Sequence, residues 1–463
     1  MITIDQSLTP DYFIPAIDRF WELSAAKIQS ILKHYDRRKG SPVFTAAGKY
    51  TTRGWTEWTQ GFEFGSAILQ YDATGDAYFL ELGRKETVDK MASHVGHFGV
   101  HDHGFNNLST YGNLLRLMRE SRLPMNLWER HFYELAIKLS GAIQAHRWTT
   151  IPGGGYIYSF NGPHSLFVDT IRTVRILEVS HLFGHAIWDE NDIRIDLLER
   201  AVQHVQATAK YAVFYGEGSD MYDVRGRVAH ESVFNVNDGN YRCPNSQQGY
   251  SGFTTWTRGL AWAMLGFAEQ LEFFSEVSVV TDGRAKEMEA IESTCEKAAR
   301  AVCDFYLEHT PSDGIPYWDT GAPGLVQLGD YLNRPADPFN GYEPVDSSAA
   351  AIGAQGLLRL GHHLRNRDES ASTRYWQGGL TILKRLLEEP YLSTHSEHQG
   401  LLLHSIYHRP NGWDYQPAGS AIPYGESSMW GDYHFRELVL YVQRIAQQGP
   451  YHSFFHALTN PNE

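Results

Sequence analysis

Three stretches of this chain are apolar nearly all round: GFEFGSAILQY (61–71), GLAWAMLGFAEQL (259–271) and AAAIGAQGLLRLG (349–361). A helix at a protein surface keeps one polar face for water, so a helix apolar on every side must be enclosed by other protein. Between them lie segments of the opposite character, such as RAKEMEAIESTCEKAARAVCDFYLEH (284–309), whose charged stripes belong at a solvent-facing wall. Helical periodicity runs over about 12–35, 58–74, 77–94, 108–119, 127–145, 168–182, 192–214, 255–274, 284–309, 347–364, 372–388 and 428–447, while strand signals are few. Thr74-Gly75-Asp76 reads as helix stop, turn and cap in one. Five enclosed-then-exposed hairpins follow in order. The last enclosed helix lacks a partner after it and the first exposed helix lacks one before it. If those two pair, a ring closes. The expected fold is all-α, an (α/α)6 barrel of six helical hairpins, built as a single domain over 1–463.

In such a ring the inner helices start at one end, and the loops before them collect there. Those loops read RGWTEWTQGF (53–62), HDHGFNN (101–107), YSFNGPHSLFVDT (158–170), HESVFN (230–235), NSQQGYSGFTTWTRGLAW (245–262), IPYWDTGAP (315–323), EPVDSSAAA (343–351) and YGESSMWGDYHF (424–435), and all eight are expected to face one funnel. Asp102 and Asp169 each stand at an inner-helix start. Aspartate favours that position as an N-cap; a carboxylic acid facing a carboxylate across the funnel is also what general acid–base chemistry requires. The two readings are compatible. Asp346 in PVDSSAAA reads as a cap, and Asp432 in WGDYHF as a polar contact of the inner wall. Arg258 interrupts an apolar helix, and a buried guanidinium is costly unless paired. It either holds a structural aspartate or binds an anionic ligand with His230 and Gln248 as neutral donors. The ligand reading is favoured. Trp58, Trp256, Trp262, Trp318 and Trp430 gather at loop–helix junctions, where one or two can serve as sugar platforms.

A net charge of −14 disfavours nucleic acid and anionic membranes as partners. The three cysteines are too scattered for a disulfide framework, and MITIDQSLTP has neither the basic nor the apolar region of a secretory signal. A reduced, cytoplasmic protein is expected. With 26 Tyr, 23 Phe and 12 Trp, aromatic faces are abundant.

The ordered set WTQGF, HDHGF, VDT, QQGYSGFTTWTRGLAW, PYWD, DSSAAAI and WGDY resembles glycoside hydrolase family 88, the unsaturated glucuronyl hydrolases, with the unsaturated rhamnogalacturonyl hydrolases of family 105 as cousins. The resemblance covers nearly the whole chain and implies an (α/α)6 barrel. It makes Asp169 the general acid/base and Asp102 its partner carboxylate, and it gives His101, Trp58, His230, Gln248, Arg258 and Trp262 to binding an unsaturated uronate. The implied activity is release of a 4,5-unsaturated uronic acid from the non-reducing end of lyase-made oligosaccharides, without metal or cofactor. Departures are specific. Relatives carry a tryptophan before the acid/base aspartate where this chain offers Tyr158 or Phe160, no Lys or Arg occurs from Pro410 to Phe435, and there are additions near 275–284 and 322–342.

Three rivals stand beside this reading. A metal-dependent hydrolase would rest on His94, His97, His101 and His103, although Gly96 and Gly99 break the helix that would align them. A sugar isomerase or epimerase on the same barrel would need a histidine pair, His230 with His101 or His434. A non-catalytic carbohydrate-binding protein would not need two carboxylates and an arginine.

Overall fold

The computed structural model describes residues 1–53, 57–218, 221–277 and 285–455. Trp55 in the first funnel loop and most of the 275–284 addition lie outside the described residues.

Twelve long helices are present among the described residues, and they alternate as the sequence demands. The inner six are Gln60–Thr74, 103–119, 168–182, Thr257–Val277, Ser347–Leu364 and Met429–Ala446. The outer six are Ile14–His34, Ala77–Lys90, Leu127–His146, Leu197–Tyr211, Ala285–His309 and Glu369–Leu386. Each inner helix packs on the next, and the sixth returns to the first. In the sixth inner helix every residue from Met429 to Arg444 is buried, its charged side chains included, as enclosure by the other helices requires. The first outer helix closes the ring against the sixth inner helix: Trp21 Nε1 donates to Gln443 Oε1 at 2.8 Å, and Arg436 Nε to Ser24 Oγ at 2.8 Å. Six hairpins thus form an (α/α)6 barrel.

Local chemistry sets the helix ends. Gly75 takes a left-handed conformation (φ 73°) that stops the first inner helix, and the Asp76 carboxylate accepts from Tyr78 N at 3.0 Å to start the next. Asp346 caps the fifth inner helix through Ser348 N. Two helix starts differ most from the periodicity. The second inner helix begins at His103, ahead of 108, and contains a π-turn over Leu108–Gly112. The fourth outer helix begins at Leu197, because a hairpin pairing Ala186–Trp188 with Arg194–Asp196 occupies the preceding residues and Asp196 caps the helix. Nine short strands in four small sheets also occur among the described residues. Most are three or four residues long, below the length at which alternation can be read.

Buried charge pairs join the inner helices to one another. Asp72 on the first inner helix accepts from Arg116 of the second at 2.7 Å and from Arg444 of the sixth at 2.7 Å. Arg122 adds a third cation at 2.8 Å. Burial pushes the Asp72 carboxyl up, but the three guanidinium groups overcome it and hold it well below the usual range. Removing one partner of such a group strands the others in low dielectric. Asp72→Ala is therefore expected to cost about 3–5 kcal/mol, read from denaturant unfolding followed by circular dichroism; an unchanged transition would show that the ring does not depend on this link.

Candidate active site

The loop HDHGFNN is folded by its own side chains. Asn106 Oδ1 accepts from Gly61 N at 2.6 Å, tying the loop to the start of the first inner helix, and Asn107 Nδ2 donates to Ser140 Oγ at 2.8 Å on the third outer helix. Gly104 lies against Thr173 so closely that a Cβ would fall 2.7 Å from the Thr173 carbonyl oxygen. That contact brings the second and third inner helices together and sets His101 beside Asp169.

Asp169 is placed by a strand the sequence did not reveal. Ser165–Phe167 pairs antiparallel with Glu231–Phe234, which pairs with Tyr241–Asn245. The ladder extends through Val168 N to His230 O at 3.0 Å, so Asp169 and His230 become neighbours although they lie far apart in the chain.

Here the geometry corrects the sequence reading. Asp102 and Asp169 do not face each other across a funnel; both stand around one imidazole. His101 Nε2 lies 2.9 Å from Asp169 Oδ2 and 3.8 Å from Asp102 Oδ1. Neither aspartate caps its helix through its side chain, so the capping reading fails for both. All three side chains are nearly enclosed. Burial and the Asp169 charge push the Asp102 carboxyl up to about 6, against the pull of His101. Burial also raises Asp169, but the charge and hydrogen bond of His101, helped by His230, bring it below the ordinary value. Burial disfavours a charged His101, yet the two carboxylates outweigh it and raise its pKa. Asp102 and Asp169 titrate as a pair, and in this state the pair keeps one proton on Asp102 up to about pH 6.

His230 is fixed as a donor. Its Nδ1 accepts from Gln247 N at 3.0 Å and Gln248 N at 3.3 Å, which leaves the proton on Nε2. Nε2 stands 3.9 Å from Asp169 Oδ1, and neither atom has a hydrogen-bond partner among the described residues. Burial lowers the His230 pKa to about 4. The imidazole is neutral. An oxygen between the two atoms, of water or substrate, could satisfy both.

These groups lie at a pocket of about 620 Å³. Asp169, Asp102, His101, Trp58, Gln248, Arg258 and Trp262 all line it, whereas His230 sits behind the wall next to Asp169. Trp58 stacks on Trp430 at 5.3 Å, and Trp262 on Phe105 at 5.7 Å. Trp256, Trp262 and Trp430 are buried and serve as packed walls. Loops 315–323 and 343–351 do not reach the lining, and Trp318 instead donates to Glu343 Oε2 at 2.8 Å. Sequence reading missed the loop that carries Tyr407, His408, Asn411 and Trp413, all in the lining. Its aromatic, proline- and glycine-containing run YHRPNGWDY, well ahead of the sixth inner helix, was the available signal.

Arg258 also resolves against the favoured reading. Its guanidinium donates to Asp346 Oδ2 at 2.6 Å, to Tyr407 O at 2.7 Å and to Gln248 Oε1 at 3.2 Å, with Ile406 O as a further acceptor. It is held between Trp256 and Trp430, 4.6 and 5.1 Å from their ring centres. Arg258 thus holds a structural aspartate and the 406–407 backbone while presenting an edge to the pocket. Asp432, as expected, is an inner-wall contact: it accepts from Leu401 N, Leu402 N, Tyr50 OH and Ser427 Oγ.

Of the four histidines of HVGHFGVHDHGF, the His94 and His97 rings pack on His103 at 5.1 and 5.0 Å, while His101 turns away from them. His97 Nδ1 pairs with His103 Nε2 at 2.7 Å and His94 Nε2 with Gln60 Oε1 at 2.8 Å, while His101 bonds Asp169. Among the described residues, the one group of three or more His, Cys, Asp or Glu able to share an ion is His101, Asp102 and Asp169, with ligand atoms within 4.8 Å of one another. His434 is buried against Arg172, away from the lining, and burial lowers its pKa to about 3.

The fold and this site define an (α/α)6 barrel with a carboxylate pair at an aromatic pocket. The proteins this chain is similar to include unsaturated glucuronyl hydrolases and unsaturated chondroitin disaccharide hydrolases. No family model matches the chain. The unsaturated glucuronyl hydrolase of Bacillus sp. (strain GL1) is 26% identical over 412 residues, covering 87% of this chain and 90% of that protein. The unsaturated chondroitin disaccharide hydrolase of Streptococcus pyogenes serotype M1 is 22% identical, covering 86% and 84%. Among solved structures, an unsaturated glucuronyl hydrolase specific for heparin superposes with a TM-score of 0.69 at 17% identity, covering 94% of this chain and 98% of that one. The Bacillus sp. GL1 enzyme gives 0.66 at 20% identity, covering 93% and 96%. The likeness to family 88 drawn from the loop motifs therefore holds over more than four fifths of the chain.

The Arg258–Asp346 link has a clear test. Arg258→Met and Asp346→Asn are each expected to lower stability by about 3–5 kcal/mol, with the double variant no worse than the larger single effect. Additive losses would show that the two residues do not act as one unit.

Proposed function

We propose that the whole chain, 1–463, is one glycoside hydrolase unit that removes a 4,5-unsaturated uronic acid from the non-reducing end of lyase-generated oligosaccharides. The observation that carries this reading is the carboxylate pair around His101, holding one proton in an aromatic-walled pocket. The C4=C5 bond of the substrate is an enol ether. Protonation at C4 places oxocarbenium character on C5 and the ring oxygen, and water then adds at C5. The resulting hemiketal opens and expels the neighbouring sugar, so no displacement at the anomeric carbon is needed and carboxylate separation does not set the stereochemical outcome.

In this scheme the pair's single proton passes from Asp102 to Asp169 as substrate binds; Asp169 delivers it to C4 and then, as carboxylate, takes one from the attacking water. Its Oδ1 is the free oxygen, and His230 Nε2–H stands opposite to orient the oxygen between them. Asp102 is the partner that keeps the pair singly protonated, and His101 holds both in register. Trp58 and Trp262 supply apolar walls, and Gln248, whose carbonyl is taken by Arg258, keeps its NH2 as a donor. In place of the tryptophan that relatives carry before the acid/base aspartate, Phe160 lines the pocket and stacks on His101 at 5.9 Å. A cytoplasmic setting is supported by three unpaired cysteines; no described helix is long and apolar enough to cross a membrane.

The double bond is conjugated with the carboxylate and absorbs in the ultraviolet, so activity is read as loss of absorbance. On a panel of lyase-treated chondroitin, hyaluronan, heparin, ulvan and pectin fragments, at least one is expected to lose its absorbance, and no decay on any would sink the assignment. Asp169→Asn and Asp102→Asn should each lower kcat about 10²–10⁴-fold. Full activity in Asp169→Asn together with loss in a histidine variant would favour an isomerase, and loss of activity in excess chelator would favour a metal enzyme.

The pH dependence follows from the pair. Asp102 must carry the shared proton, so kcat/KM is expected to hold up to about pH 6 and fall roughly tenfold per unit above it. The acid limb lies below the ordinary carboxylate range, where Asp169 also takes a proton. A profile flat through pH 8 would contradict the assignment.

A further inference from the structure

Five buried arginines, Arg116, Arg172, Arg258, Arg359 and Arg444, each meet a carboxylate at 2.6–2.7 Å. Arg147, which follows the third outer helix, is different. It is 3% exposed, yet its guanidinium donates to backbone carbonyls: Nη2 to Tyr158 O and Ser159 O, both at 2.9 Å, Nε to Tyr158 O at 3.3 Å, and Nη1 to Phe98 O. It also lies 4.5 Å from the centre of the Tyr158 ring. Among the described residues no carboxylate pairs with it. Carbonyl dipoles solvate the cation but leave its charge uncancelled, and a buried charge without a counter-ion is costly.

The carbonyls it holds belong to two stretches that converge on the site. Phe98 lies just ahead of His101 and Asp102, and Gln144 Nε2, at the same helix end, donates to Val100 O at 3.2 Å. Ser159 adjoins Phe160 of the pocket lining and is tied to the start of the strand that leads to Asp169: its N donates to Ser165 O at 2.9 Å, and the two hydroxyls lie 2.6 Å apart. One guanidinium thus brackets the His101–Asp102 loop against the segment that carries Asp169. Arg147 is not in the lining and stands behind it. The charged and titratable groups that face Asp102 are His101, Asp169, Arg147 and, from the loop ahead of the sixth inner helix, Tyr407. Burial keeps Tyr407 neutral, and burial keeps the neighbouring His103 neutral too. Among these groups Arg147 is the permanent cation.

We infer that Arg147 is a positioning residue of the reaction: its hydrogen bonds set the His101 loop against the Asp169 segment, and its permanent charge draws the pair's proton away from Asp102 towards Asp169. The inference rests on the hydration reaction proposed above. A cation near Asp102 favours the ionised carboxylate and so opposes the rise that burial and Asp169 impose. The proton then passes to Asp169 at less cost when substrate arrives. Without the charge, Asp102 would keep the proton to higher pH and yield it less readily. Neither effect needs contact with the sugar.

Ultraviolet decay of a lyase-made fragment, followed across pH in the full chain and in its Arg147→Gln and Arg147→Lys variants, tests the proposal. Arg147→Gln is expected to lower kcat about 10- to 100-fold and to move the alkaline fall of kcat/KM up by roughly half to one pH unit. Arg147→Lys keeps the charge and should leave that limb at its wild-type position. Denaturant unfolding supplies a reading that needs no substrate. The proton on Asp102 favours the folded state, and that stability is lost as pH rises through about 6. Pushing Asp102 higher therefore adds a loss at pH 8 and none at pH 5. The destabilisation by Arg147→Gln should be about three- to tenfold larger in the unfolding constant at pH 8 than at pH 5, and the excess should shrink in an Asp102→Asn background. A lower kcat with an unmoved alkaline limb would make Arg147 a loop clamp alone and overturn the proposal, as would a limb that moves equally in Arg147→Lys. If the wild-type protein degrades no fragment, the hydration reading falls by itself; the unfolding comparison still judges the charge on Asp102, and equal destabilisation at both pH values overturns the proposal.

Discussion

One buried link fixes how the inner helices meet under the pocket: Arg172 of the third inner helix between Glu269 of the fourth and Glu437 of the sixth, at 3.1 and 2.7 Å. All three side chains are essentially closed to water. Burial opposes the charge on Glu437, but Arg172 with His434 and Arg175 holds its carboxyl far below the usual range. The Asp72 cluster joins the first, second and sixth inner helices in the same way, and Arg359 with Glu272 joins the fifth to the fourth at 2.7 Å. Such links cost desolvation, so their contribution is less to net stability than to register: a slipped helix would strand a charge in the interior. Asp169 sits three residues before Arg172, and Trp262 lies 5.8 Å from the Arg172 guanidinium. The floor of the site is thus set by the same residue that sets the ring.

Periodicity was sufficient to read the ring because the enclosed helices carry so little polarity, and because stops such as Gly75 and caps such as Asp346 are local chemistry. Asp102 and Asp169 could be singled out for the same reason, as carboxylates at inner-helix starts. Their mutual distance could not. It depends on Gly104 meeting Thr173 and on a three-residue strand pairing with Glu231–Phe234, contacts between segments about 70 residues apart that leave no local pattern. The loop around Trp413 was passed over because it precedes its helix by many residues and its helix start, Ser428, is capped by its own hydroxyl. Arg258 was read as half free because sequence cannot show that Asp346, chosen correctly as a cap, has a second oxygen for it.

That second role changes how an anionic substrate is received. Arg53 and Arg258 both line the pocket, yet Arg258 spends its donors on Asp346 and the 406–407 backbone, and Arg53 donates to Thr52 O and Trp413 O. Burial lowers His408 to about 4, so it enters the lining as a neutral ring. The positive field is therefore held slightly behind the surface, with neutral donors such as Gln248 in front. In the function proposed above, this arrangement would attract a carboxylate without offering a naked ion pair that has to be desolvated on each turnover.

The same economy explains why the proton-carrying pair is built around a histidine. Two carboxylates brought together in a buried site cannot both ionise without a large penalty, and raising one pKa is the ordinary outcome. Here the His101 imidazole lies against both, lowering Asp169 and limiting the rise of Asp102 to about 6. Without the imidazole, burial would push both carboxyls up and leave no base for the water. Without Asp102, His101 would hold Asp169 ionised with no proton at hand for C4. In the proposed reaction, the histidine that first reads as one of four possible metal ligands is thus the group that separates an acid from a base in a space too small for both charges.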